Sequence, residues 1–180
     1  MEIRLIRHTR PAIPKGICYG QTDLLPADSF LEEVSTIKAQ LVDAPSPMAI
    51  FTSPLLRCSR LAEALFPHHA ITADPRLMEL DFGQWEMKAW EEIPSAEITP
   101  WMEDFVRIPC TGGESYQQLY DRCVDFIVAL RKQQLKNVTI ITHAGPIRAI
   151  HAHFNDIALK DSFSLKVEYG EVLKLEDWKV

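Results

Sequence analysis

The sequence predicts an α/β fold built on a mostly parallel sheet. Three observations predict it: short β-branched and aliphatic runs at 2–7, 46–53 and 137–143, segments of helical periodicity between them, and an abrupt polar ending to each run. Strands alternating with helices imply parallel βαβ units, and sheets of this kind take ligands beyond the carboxyl ends of their strands.

The first run, "EIRLIR" (2–7), alternates like a strand entering a core and stops on His8, Thr9 and Arg10. A helix is expected over "SFLEEVSTIKAQL" (29–41). The second run, "SPMAIFTS" (46–53), gives way to Ser53 and Pro54, read as an N-cap and a proline at the first helical position, with "LLRCSRLAEAL" continuing the helix. In "SYQQLYDRCVDFIVALRKQQL" (115–135), Leu119, Tyr120, Cys123, Ile127 and Leu130 share one helical face. The third run, "NVTIITH" (137–143), precedes the helix candidate "AGPIRAIHAHF". Residues 76–113 carry three of the four tryptophans, break the βα rhythm and are expected to form a lid-like insertion within one domain spanning 1–180. The tail "SFSLKVEYGEVLKLE" reads as two β runs around Tyr169 and Gly170, an expected edge hairpin.

At 180 residues the chain can bury about 70% of the surface its unfolded form exposes, so its core needs no disulfide. A net charge of -6 argues against nucleic acid as a partner, because backbone phosphates demand clustered Lys and Arg. The N-terminal stretch has no signal-peptide pattern and no run has the length of a membrane span, so a cytoplasmic protein without a membrane partner is expected. Cys18, Cys58, Cys110 and Cys123 form no C-x-x-C pair, and none has an arginine six positions downstream as a cysteine phosphatase loop requires. Packed, reduced thiols are expected.

What converges at the strand ends is Arg7 with His8, Arg57 in the first turn of a helix, and His143. Guanidinium forks match phosphate oxygens, helix N-termini add partial positive charge, and an imidazole beside them can attack phosphorus. The ordered motifs "RHT", "SPLLRC", "LMELDFGQWE", "GGES" and "THAG" resemble the histidine phosphatase superfamily, the phosphoglycerate mutase-like proteins, over nearly the whole chain.

That resemblance implies a three-layer α/β/α sandwich and a metal-independent phosphomonoesterase acting through phosphohistidine, with no cofactor. It makes His8 the nucleophile, Arg7, Arg57 and His143 the rest of the phosphate pocket, and Glu79 the general acid. It also puts Thr9, Tyr19, Gly20, Gln21 and Ala144 at the substrate. Two positions depart from the family pattern: Thr9 follows the histidine where glycine is usual, and Met87 stands where a glycine would serve φ > 0. Within the superfamily, "RHTRP" followed by "CYGQTDLLP" most resembles the α-ribazole phosphatases of cobalamin synthesis. Broad-specificity sugar or nucleotide phosphatases, a phosphoglycerate-type mutase and an inactive phospho-ligand binding domain remain the alternatives. A small phosphate ester is the expected partner, and the oligomeric state is open, a homodimer included. His151 and His153, two apart on a helix, are expected to face different ways and not to hold metal. Trp85, Trp90 and Trp101 are expected in the core, a ligand contact being the alternative for Trp101.

Overall fold

The structure, a computed structural model, describes residues 1–176. Its sheet has the order β3-β2-β4-β1-β5, where β1 is Glu2–Arg7, β2 Ala49–Thr52, β3 Ile71–Ala73, β4 Asn137–Thr142 and β5 Val172–Leu175. The pairs β1–β4, β2–β4 and β2–β3 are parallel, and only β5 runs antiparallel, along β1. In register, Arg7 lies opposite Thr142, and Thr52 opposite Ile141, so the three central strands end together.

Period-2 alternation sends the two faces of each strand into different layers. Ile3, Leu5, Phe51, Val138 and Ile140 pack under α4 (Tyr116–Arg131) and α5 (Ala144–Asn155). Ile6, Ile50 and Ile141 pack under α1 (Phe30–Gln40) and α2 (Leu56–Leu65). The result is the three-layer sandwich. α4 begins with the capping box that its sequence contains: the Ser115 hydroxyl accepts from Gln118 N, and Gln118 Oε1 accepts from Ser115 N at 2.7 Å.

Three local expectations are corrected. Ser53 does not cap α2 with Pro54 as its first residue; the helix starts at Leu56, whose N–H is taken by Asp23 Oδ1 at 2.7 Å, while the Ser53 hydroxyl turns to His143. A short edge strand, β3, follows α2 where no strand was expected. In the tail only the second run is a strand. The first run lies in a 3₁₀ turn, Leu159–Ser164, and the chain beyond it, where Arg148 and Arg7 take the carbonyls of Leu165 and Val167.

The segment after β3 contains three 3₁₀ turns, Pro75–Leu77, Gly83–Trp85 and Trp90–Glu92, and α3 (Ser95–Glu103). Trp85 is buried and donates Nε1–H to Glu97 at 2.8 Å. Gly83, with φ 55°, passes so close to Thr111 and Gly113 that a Cβ would lie 2.4 Å from their backbone atoms. Met87 does adopt positive φ, 65°, at the departure from the family pattern.

Candidate active site

His8, Ser53 and His143 are the residues immediately beyond the three central strands, and the ladder extends to two of them: His8 N donates to Thr142 O at 3.0 Å and Ser53 N to Ile141 O at 2.9 Å. The His8 Nδ1 lies 2.6 Å from the Thr9 carbonyl. Since a carbonyl only accepts, Nδ1 carries the proton, and Nε2 keeps its lone pair. Burial, then the nearby Arg57 and Arg7 charges, hold the His8 pKa well below the ordinary imidazole value against the opposing bond to Thr9. The ring is therefore neutral and nucleophilic near pH 7.

Arg7 donates from Nη1 to Val167 O at 2.6 Å, with its guanidinium 3.8 Å over the Tyr169 ring. Arg57, fully buried, donates to Thr22 O at 3.0 Å and Gly20 O at 2.5 Å. Tyr19 and Tyr169 join hydroxyls at 2.7 Å beside these two cations. His143 caps α5, its ring edge-on to His8 at 4.9 Å, with Nε2 2.8 Å from Ser53 Oγ and 3.4 Å from Cys58 Sγ. Burial, then the proximity of His8 and Arg57, pushes its pKa well down too. Arg7 Nε, Arg57 Nε and Thr9 Oγ1 are buried without a hydrogen-bond partner. Unmet donors crowded beside two guanidinium groups make an environment suited to an anion.

Glu79 reaches the same space from the chain after β3. Its Oε2 accepts from Gly145 N at 3.2 Å and its Oε1 from Leu80 N at 3.0 Å. Gly145 has no alternative here: a Cβ would stand 2.1 Å from Glu79 Oε1. Arg122 on α4, absent from the sequence-based candidates, holds the main chain of this segment by donating to the carbonyls of Arg76, Met78 and Glu79, and it pairs with Glu114.

Gly20 and Gln21 stand one layer behind the pocket. Glu86 collects the N–H groups of Gly20, Gln21 and Thr22 at 2.8 to 3.0 Å, and the Gln21 side chain donates to Glu79 O at 3.1 Å. Burial opposes the Glu86 charge, but these bonds and that of the Thr22 hydroxyl outweigh it and lower the pKa, which makes Glu86 a loop anchor and a poor proton donor. Ala144 is buried in the first turn of α5.

The pocket has a volume of about 300 Å³. Arg7, His8, Tyr19 and Glu79 are among its lining residues. The remaining walls are mostly aromatic. Trp90 and Trp101 stack at 6.2 Å and both line the cavity together with Phe82, so of the three tryptophans only Trp85 is a core residue. Tyr116, Phe163 and Arg148 complete the lining. Burial pushes the Cys18, Cys110 and Cys123 thiols up to about 12, which leaves them inert. Of the H-x-H imidazoles, His153 Nδ1 lies 3.0 Å from the Tyr120 hydroxyl, while His151 Nδ1 is buried without a partner; both rings border one surface pocket.

The sheet and its strand-end cluster define a class: an α/β protein with histidines and arginines gathered beyond the carboxyl ends of its central strands. The chain belongs to the histidine phosphatase superfamily (branch 1), whose family model matches residues 3–178. Phosphoserine phosphatase 1 of Hydrogenobacter thermophilus is 27% identical over 123 residues, 64% of this chain and 57% of that protein. The 6-phosphofructo-2-kinase/fructose-2,6-bisphosphatase 4 of Rattus norvegicus is 31% identical over 97% of this chain, which spans only 37% of that protein. Among solved structures, the α-ribazole phosphatase from Shigella flexneri superposes with a TM-score of 0.90 at 22% identity, covering 98% of this chain and 90% of that one. Among the described residues no helix is long and apolar enough to cross a membrane.

Proposed function

We propose that the chain is a metal-independent phosphomonoesterase that works through phosphohistidine at His8. The observation that carries this reading is the neutral His8 ring, its Nδ1 proton committed to Thr9 O and its Nε2 free beside Arg7 and Arg57. The two guanidiniums and His143 receive the phosphoryl oxygens. His8 Nε2 attacks phosphorus in line, the P–O bond to the alcohol breaks, and Glu79 gives its proton to the departing oxygen. Water then attacks the phosphohistidine, returning a proton to Glu79 and releasing phosphate with His8 restored. Two arginines supply the charge a metal supplies elsewhere.

The aromatic walls support a substrate with a flat leaving group, and α-ribazole 5'-phosphate, an intermediate of cobalamin synthesis, combines such a group with a phosphate ester. A solved α-ribazole phosphatase of matching fold adds support. Residues 76–113 act as the cover of this subsite through Phe82, Trp90 and Trp101. The test is quenched labelling with phosphate-labelled substrate in the presence of chelator. Wild type traps an acid-labile phosphoenzyme and His8→Ala traps none. Label retained at the wild-type level in His8→Ala, or activity abolished by chelator and restored by Mg²⁺, overturns the reading.

A further inference from the structure

The pocket is lined by one cation that this chemistry does not use. Arg148 sits on α5 three residues beyond Gly145, on the same helical face, and lines the cavity together with Arg7 and Glu79, whose charges are close enough to act on it. Nε donates to Leu165 O at 3.0 Å, and the guanidinium carbon lies 4.9 Å from the centre of the Phe163 ring. These two contacts hold the fork in position and use one of its five N–H donors. Among the described residues no acceptor takes the Nη hydrogens. A half-buried guanidinium set against aromatic walls loses hydration without regaining hydrogen bonds, unless a bound molecule provides the acceptor.

We propose that Arg148 is the specificity-determining residue of the leaving-group subsite, donating from Nη to an acceptor atom on a flat, unsaturated group clasped by Phe82, Trp90 and Trp101. This rests on the phosphomonoesterase reading and deepens it. A two- or three-carbon alcohol bearing a carboxylate would leave the aromatic walls uncovered, whereas a ring system covers them and presents its acceptor to Arg148.

The experiment compares 2-naphthyl phosphate with the isomeric quinolinyl phosphates, which match it in shape and add one ring nitrogen. Wild type favours at least one quinolinyl isomer by kcat/KM. Arg148→Met lowers that preference about tenfold or more, the loss expected for a charged hydrogen bond, and Arg148→Lys retains part of it. An unchanged preference in Arg148→Met overturns the proposal. So does an equal loss on both substrates with weakened vanadate inhibition, which assigns Arg148 to the phosphate, or a largest loss on O-phosphoserine, which makes it a carboxylate reader. Calorimetric affinities of the free hydroxyquinoline and naphthol in the presence of vanadate read the same subsite without turnover, so the proposal stands or falls even if hydrolysis fails. Thermal midpoints of the variants verify folding.

Discussion

The Glu79 carboxyl is held by two backbone N–H groups, and one of them belongs to Gly145, where there is no room for a single additional carbon. Gly145→Ala is therefore expected to displace the carboxyl and copy the defect of Glu79→Gln: phosphorylation of the enzyme by an alkyl phosphate slowed by about 10²–10⁴ fold, and phosphorylation by p-nitrophenyl phosphate much less affected, because nitrophenolate leaves without a proton. Single-turnover phosphorylation with both substrates measures it; equal fractional losses would make Glu79 a positioning residue. The residues whose side chains end at the strand tips were legible because motif and strand end coincide in the sequence. Those that steady them were not. The Arg7–Val167 contact joins positions 160 apart and the Glu86–Gln21 contact positions 65 apart, and nothing local at Glu86, Arg122, Arg148 or Tyr169 announces such partners.

At the scale of the element, the strands and the long helices could be read from periodicity, since burial on one face imposes it. The ends could not. Ser53 followed by proline is a sound helix start in isolation, but the hydroxyl is worth more to a buried imidazole at 2.8 Å, and Asp23 from a distant loop takes over the cap. The supposed tail hairpin failed because two arginines satisfy the carbonyls that a second strand would otherwise need to pair. The loop containing Met87 offers a direct measurement. Its positive φ strains a residue with a Cβ by roughly 1 to 2 kcal/mol, partly offset by the greater freedom glycine has when unfolded. Met87→Gly should stabilise the protein by up to about 1 kcal/mol in urea denaturation while leaving the m-value unchanged. A loss of stability would mean that the half-exposed Met87 side chain contributes packing that outweighs the strain.

Taken whole, the molecule encloses two imidazoles, His8 and His143, at the C-terminal edge of its sheet, and burial holds both neutral. Above the ordinary imidazole pKa of about 6.5, folded and unfolded chains are alike in this respect, and pH has no purchase through them. Below it the unfolded chain takes up protons that the folded one refuses. Stability then declines by as much as about 1.4 kcal/mol per pH unit for each histidine until the depressed folded values are reached. The thermal midpoint should fall between pH 7.5 and 5, above the range in which Glu86 and Asp74, whose pKa values are lowered, begin to protonate. Vanadate, by pairing with an imidazolium, should flatten that slope; a midpoint independent of pH would contradict burial of the pair. The strand order carries a consequence for synthesis. β1 is made before the other four strands, yet both its neighbours, β4 and β5, begin only at Asn137 and Val172. Until Asn137 and the residues after it have been made, β1 has no native partner on either edge, so its apolar residues Ile3, Leu5 and Ile6 stay without their native cover. A nascent chain arrested before residue 137 should therefore carry Arg7 and His8 without any enclosing pocket, and should acquire protease resistance abruptly, late in elongation.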